Sequence, residues 1–275
     1  MNLNTITEVK IPSAAEDIAH WRDGYAWLAG GTWLFSEPQV HTDTLIDLES
    51  LRWPPLTVTD QGLDVAATCR VVDLDRFAGP AEWTATPLLQ LCCRSFLASF
   101  KIWNAATVGG NICMALPAGP MISLTAALEG VCTLLPRGGG SRTVSVVDFV
   151  TGNHANVLAP GELLRNIHLP KAALTKRFAF RRSSLTHLGR SAVLVIGTQS
   201  AKTTDLLLTV SAATLRPIQL KFDRSPSAAA LRDAIDAAIP ESLYLDDVHG
   251  SPAYRRHVTY YYAEQIRTEF AEGPR

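Results

Sequence analysis

The sequence predicts a chain of mixed strands and helices divided into two unequal domains. Three features carry that expectation. At 275 residues the chain exceeds the ~150 of a typical domain. Strand-like runs interleave with stretches of helical periodicity in the first part, and in the tail strand-like runs are followed by two helices. A strand-like Ile167-His168-Leu169-Pro170 then gives way to Lys171, and we place a boundary there, between 1–170 and 171–275. Apolar residues make up 47% and charged residues 19%, enough material for a buried core in each part and no sign of disorder.

The elements follow in order. Over 87–98, Leu88, Leu91, Cys92, Ser95 and Phe96 recur at three- and four-residue spacings, which predicts an amphipathic helix; 121–128 predicts another. Val131-Cys132-Thr133-Leu134-Leu135 reads as a strand, Pro136-Arg137-Gly138-Gly139-Gly140-Ser141 as a hairpin turn, and 143–147 as the returning strand. In the second part, 192–198, 206–210 and 218–222 read as strands. Two helices follow, opening at Ser225-Pro226 and Ser251-Pro252, each pairing a capping hydroxyl with proline in the first turn. In the last helix Tyr254, Val258, Tyr262, Ile266 and Phe270 form a stripe that requires a cover.

Several function classes are disfavoured. A net charge of −1 gives no cationic field for nucleic acid or anionic lipid. The first residues, Met1 to Glu8, lack the cationic start and apolar run of a secretory signal, and no apolar stretch approaches the ~20 residues of a membrane span, so a cytoplasmic protein is expected. Cys69, Cys92, Cys93, Cys113 and Cys132 form no C-x-x-C pair and are read as reduced, mostly buried residues. His20, His41, His154, His168, His187, His249 and His257 show no metal-binding spacing, and no serine sits in a G-x-S-x-G elbow. Asp246-Asp247 reads as a solvated approach to a helix, and Tyr260-Tyr261-Tyr262 as a packed aromatic helix face.

Two segments carry chemistry. In Leu28-Ala29-Gly30-Gly31-Thr32-Trp33 an apolar run meets a double glycine and a hydroxyl; in Ala106-Thr107-Val108-Gly109-Gly110-Asn111-Ile112 a second double glycine follows a threonine. Glycines admit close backbone approach and let successive N–H groups face one concavity, which suits a phosphate. Neither segment fits G-x-G-x-x-G or the P-loop pattern. Together with Pro117-Ala118-Gly119, with 158–170 and with Gly250-Ser251-Pro252-Ala253-Tyr254-Arg255-Arg256, they resemble the FAD-binding (medium) subunits of the xanthine dehydrogenase and carbon monoxide dehydrogenase family, over nearly the whole chain.

That resemblance implies an α+β fold: a two-subdomain FAD-binding domain (about 1–50 and 51–170), followed by a smaller C-terminal α+β domain with a three-stranded sheet. It implies non-covalent FAD, its diphosphate wrapped by Leu28, Ala29, Gly30, Gly31, Thr32 and Trp33 on one side and by Ala106, Thr107, Gly109, Gly110 and Asn111 on the other. It implies Leu163 and Leu164 near the flavin or adenine, and Arg181 where some relatives place a lysine by the flavin. Partners are implied too: an iron–sulfur subunit with [2Fe-2S] clusters and a molybdopterin subunit with the molybdenum–pterin cofactor. The chain itself would pass electrons to an external acceptor, with no substrate-oxidising residue of its own. Pro120 stands where relatives commonly have an aspartate, and Trp103 where many have an arginine; these departures motivate a flavin-free assembly subunit as an alternative, alongside a stand-alone flavin oxidase.

Overall fold

The computed structural model describes residues 3–17 and 20–272. Met1 and Asn2, part of the segment read as carrying no signal, fall outside them. The chain opens with a parallel sheet of β1 (Glu8–Lys10), β2 (Tyr25–Leu28) and β3 (Thr44–Asp47), with β3 in the middle. Thr44, Leu45 and Ile46 of the central strand are buried. Register pairs Leu28 with Asp47, so β2 ends just where the first double glycine begins.

A five-stranded antiparallel sheet follows. Its strands are β4 (Leu56–Thr59), β5 (Gly62–Ala66), β6 (Val131–Leu135) and β7 (Arg142–Ser145), which flank a long strand near the end of this part. After the small β8 (Val150–Gly152) and β9 (Ala155–Asn156) hairpin, that strand is β10 (Leu163–Pro170), and the order is β4-β5-β10-β6-β7. Between β5 and β6 the chain forms helices α1 (Val71–Asp75), α2 (Thr86–Arg94), α3 (Phe100–Trp103), α4 (Val108–Cys113) and α5 (Pro120–Ala127). Every residue of α5 is buried, which fits its short, wholly apolar or small-residue composition.

Two boundaries differ from the sequence expectation. The helix predicted over 87–98 stops at Arg94, where the Ser95 hydroxyl turns back to donate to the Leu91 carbonyl at 2.8 Å. The strand predicted over 143–147 stops at Ser145, whose Oγ accepts from the Asp148 N–H and caps a one-turn helix, α6 (Val146–Phe149).

After α7 (Lys171–Leu174), the last part is an antiparallel sheet of four strands: β11 (Arg177–Ser184), β12 (Ser191–Gln199), β13 (Leu206–Ser211) and β14 (Ile218–Phe222). The strand beyond the expected three is β11, an edge strand whose three arginines and two serines hide its period-two pattern from a hydrophobicity reading. Helix α8 (Ala228–Ala238) is capped by Ser227, not by Ser225: the Ser227 Oγ accepts from Ala230 N at 3.2 Å. Helix α9 (Pro252–Glu272) starts as expected, with Ser251 Oγ accepting from Tyr254 N. Its cover is the sheet. An ideal Cβ at Gly197 of β12 would sit 2.4 Å from Ile266 Cγ2, so the glycine is a notch for the helix. Val258, Ile266 and Phe270 are buried there, but Tyr254 is 40% exposed. A strict four-residue repeat drifts by about 40° per step on a helix, so one end of the stripe must rotate off the sheet.

One core cluster fills the space between the five-stranded sheet and α1–α5; a second lies between the four-stranded sheet, α8 and α9. They meet at β12. Leu194 and Ile196 belong to the first cluster, Val193 and Val195 to the second, as a strand buried on both faces requires.

Candidate functional site

The first glycine segment follows β2 directly. Gly31 has φ +67°, the left-handed region that glycine enters at no steric cost, and the Phe35 ring occupies the place a Cβ would take, 2.6 Å from it. At Gly30 a Cβ would fall 1.8 Å from the Ala105 carbonyl oxygen, so only a glycine lets this loop lie against the chain entering the second segment. The N–H groups of Gly30, Gly31, Thr32 and Trp33 donate to no protein acceptor among the described residues. That is a row of unused donors on one short loop.

The second double glycine is not a loop. It forms the first turn of α4, capped by Thr107, whose Oγ1 accepts from the Gly110 N–H at 3.0 Å. Val108 N donates to Cys69 O at 2.8 Å and Gly109 N to Ala67 O at 2.9 Å. The amides of this turn are therefore mostly committed within the protein, and what the doublet supplies is space. A Cβ at Gly109 would meet Ala67 Cβ at 2.4 Å, so this residue packs inward; at Gly110 it would meet only Thr107 Oγ1, at 2.8 Å, and otherwise open room.

Both segments line one cleft of about 730 Å³, within the ~300–1,000 Å³ usual for cofactor sites. Ala29, Gly30, Gly31, Thr32 and Trp33 form one wall, and Ala106, Thr107, Gly110 and Asn111 another. Leu28 ends the strand that leads in, and Gly109 backs the second wall from the core. Asn111 Oδ1 accepts from Met121 N at 3.1 Å, which ties α4 to the start of α5. There Gly119 and Pro120 also reach the cleft, and Pro120 is the first residue of α5, a position where a missing N–H costs nothing.

Three sequence-predicted residues are not brought to this cleft. Leu163 and Leu164 start β10 and are buried in the sheet interior, paired with Leu135 and Leu134. Arg181 points from β11 toward α9, where its guanidinium donates to Gln265 Oε1 at 3.0 Å and to Glu269. It lines a separate depression of about 880 Å³ that shares no residue with the glycine cleft. The physical reason is strand alternation: successive side chains face opposite sides, and Arg181 takes the helix side while Arg182 turns the other way, donating to Ser191 Oγ at 2.8 Å. Trp103 packs on the core, outside the cleft lining.

Other lining residues carried no sequence signal. Trp27 lines the cleft with a buried indole Nε1 that has no hydrogen-bond partner among the described residues. Phe96, Leu97 and Ile102 add apolar walls, and Arg190 and Ser191 arrive from the start of β12. Cys113 also lines it, but burial pushes its thiol up to about 12, so it stays neutral and unreactive near pH 7. Nearby, Glu162 is buried beneath a bidentate Arg142 guanidinium, with both oxygens at 2.6 Å, and accepts from Ala159 N at 3.0 Å. The Arg142 pair holds the Glu162 carboxyl below its ordinary range, against the opposing effect of burial.

Both glycine segments thus line one largely apolar cleft of cofactor size, and one of them carries backbone N–H groups that no protein acceptor uses among the described residues. Residues 5–172 match the family described as the FAD binding domain in molybdopterin dehydrogenase, and the chain belongs to that family. Among curated proteins, the beta subunit of caffeine dehydrogenase from Pseudomonas sp. (strain CBB1) is 27% identical over 191 residues, covering 66% of this chain and 62% of that subunit. Xanthine dehydrogenase 2 of Arabidopsis thaliana is 28% identical over 127 residues, 42% of this chain but 9% of its own length, so the chain spans a small fraction of that enzyme. The fold matches a chain of quinoline 2-oxidoreductase from Pseudomonas putida 86 with a TM-score of 0.80, 19% identity and 99% of both chains covered. It also matches a chain of carbon monoxide dehydrogenase from Oligotropha carboxidovorans, with a TM-score of 0.78, 18% identity, and 98% and 99% covered. No helix among the described residues is long and apolar enough to cross a membrane.

Proposed function

We propose that this chain holds FAD non-covalently in the glycine cleft and serves as the electron-transfer subunit of a molybdenum hydroxylase or dehydrogenase. The observation that supports this most is the meeting of both glycine segments in one cleft, where Gly30 to Trp33 carry four N–H groups with no protein acceptor among the described residues and Gly110 leaves open room. A diphosphate is the ligand such a pairing suits, because backbone N–H groups satisfy its oxygens without the bulk of side chains. The unpartnered Trp27 Nε1 is a further donor in want of an acceptor.

In this role the residues bind and shield; none is asked to attack a substrate. Gly30, Gly31, Thr32 and Trp33 orient the diphosphate, Thr107 and Asn111 close the facing wall, and Phe96, Leu97 and Ile102 keep water off the rings. Bound flavin supplies the ability to take up electrons singly and release them singly or in pairs. The electron source would be an iron–sulfur subunit, the site of substrate oxidation a molybdopterin subunit, and the acceptor external to the complex. The kinship to a caffeine dehydrogenase subunit supports the multi-subunit reading.

The test is co-purification of the full chain from its native source. The account expects oxidised-flavin absorbance, two further polypeptides bearing molybdenum and iron, and flavin bleaching only when those polypeptides and their substrate are present. A colourless chain that still assembles would support the assembly subunit instead, and turnover by the chain alone would support an oxidase.

A further inference from the structure

The cleft is nearly without charge. Among the described lining residues Arg190 is the one with a charged side chain, and it comes from the C-terminal part, not from either glycine segment. Its guanidinium is anchored yet unspent. The Asp247 carboxylate lies 3.7 Å away, too far for a hydrogen bond, and the Arg190 side chain makes no hydrogen bond among the described residues. Asp247 cannot swing in to satisfy it, because its other oxygen is held by the fully buried Arg255 and by the His249 N–H at 2.8 Å. Arg255 in turn donates to the carbonyls of Ala192 and Ala212, which fixes the anchor to β12 and to the end of β13.

We propose that Arg190 is a cofactor-binding residue, the cation that neutralises negative charge on FAD in this cleft, with Asp247 as its positioning residue. The proposal rests on the reading of the cleft as the FAD site. An anionic dinucleotide in an apolar cleft needs a counter-charge, since an uncompensated ion in low dielectric is costly, and this side chain alone supplies one with open donors. Two anionic groups of the cofactor share that chemistry: the diphosphate, charged in every redox state, and the isoalloxazine ring, charged on reduction.

The experiment is the dissociation constant of oxidised and of reduced FAD from the full chain, as the original protein and as R190M and R190K. Arg190 is about one-third exposed, so the methionine variant keeps the fold, which its Tm verifies. The expected result is weakening by R190M on the order of tenfold, substantial recovery in R190K, and a smaller difference at high salt. Equal weakening in both redox states assigns the contact to the diphosphate; weakening confined to reduced FAD assigns it to the ring. Unchanged constants for both states in R190M overturn the proposal while leaving the cleft as the FAD site. Failure of the original chain to bind FAD at all overturns both.

Discussion

Gly30 and Gly110 are both glycines for reasons of space, but their substitution separates fold from function. A Cβ at Gly30 strikes the Ala105 backbone, which cannot yield without parting the two segments, so Gly30→Ala is expected to cost about 1–3 kcal/mol in stability, measured as a fall in Tm, and to lose FAD with it. A side chain at Gly110 meets only the Thr107 hydroxyl and otherwise projects into the cleft. Gly110→Val is therefore expected to keep the fold and lose FAD. Thr107→Ala calibrates stability alone: it removes the α4 cap at a cost of about 1 kcal/mol, read as a fall in Tm. If Gly110→Val binds FAD as well as the original protein does, the steric account fails. At the same scale, Glu162 carries a pH prediction. Its carboxyl titrates near ~4.3 when unfolded and lower when folded, so its contribution is present above that pH and is lost as pH falls through the depressed value. Glu162→Gln should flatten the acid limb of a stability-versus-pH curve; an unchanged limb would contradict this.

Among elements, those with strong local signals were legible. The hairpin of β6 and β7, the all-buried α5, β14 and the start of α9 stand where apolar periodicity, the glycine turn and Ser251-Pro252 put them. Edges were harder, because a cap depends on which hydroxyl wins locally. Ser145 takes two residues from a strand, and Ser227 replaces Ser225 at α8. Strand β11 escaped notice because its arginines are satisfied by partners distant in sequence, such as Gln199 and Gln265. The glycine segments could be read because their defining residues are contiguous; Arg190 and Trp27 could not, since their approach to the cleft depends on how separate strands pack. The fit of α9 into β12 yields its own test. Ile266→Ala empties the notch over Gly197 and is expected to cost about 2–5 kcal/mol, seen as a shift in denaturant midpoint with FAD affinity retained in the folded protein.

For the whole molecule, we propose the division at residues 170 and 171 as one of chain segments more than of independent folding units. β12 gives one face to each core, and the Ser123 and Ser211 hydroxyls hydrogen-bond across the two parts at 2.7 Å while buried. A single thermal transition, by two probes, is the expected behaviour; two separated transitions would show that the parts fold apart. The same close packing brings Arg190 and Ser191 to a cleft built by residues more than sixty positions earlier in the chain. The central claim is that the two glycine segments hold one dinucleotide diphosphate. Equilibrium titration of the flavin-free chain with FAD and, separately, with riboflavin tests it most directly, because the two ligands share the isoalloxazine and differ by the diphosphate and adenosine. The account predicts much tighter binding of FAD, with ADP competing for the site; equal affinity for the two flavins, or indifference to ADP, would contradict it.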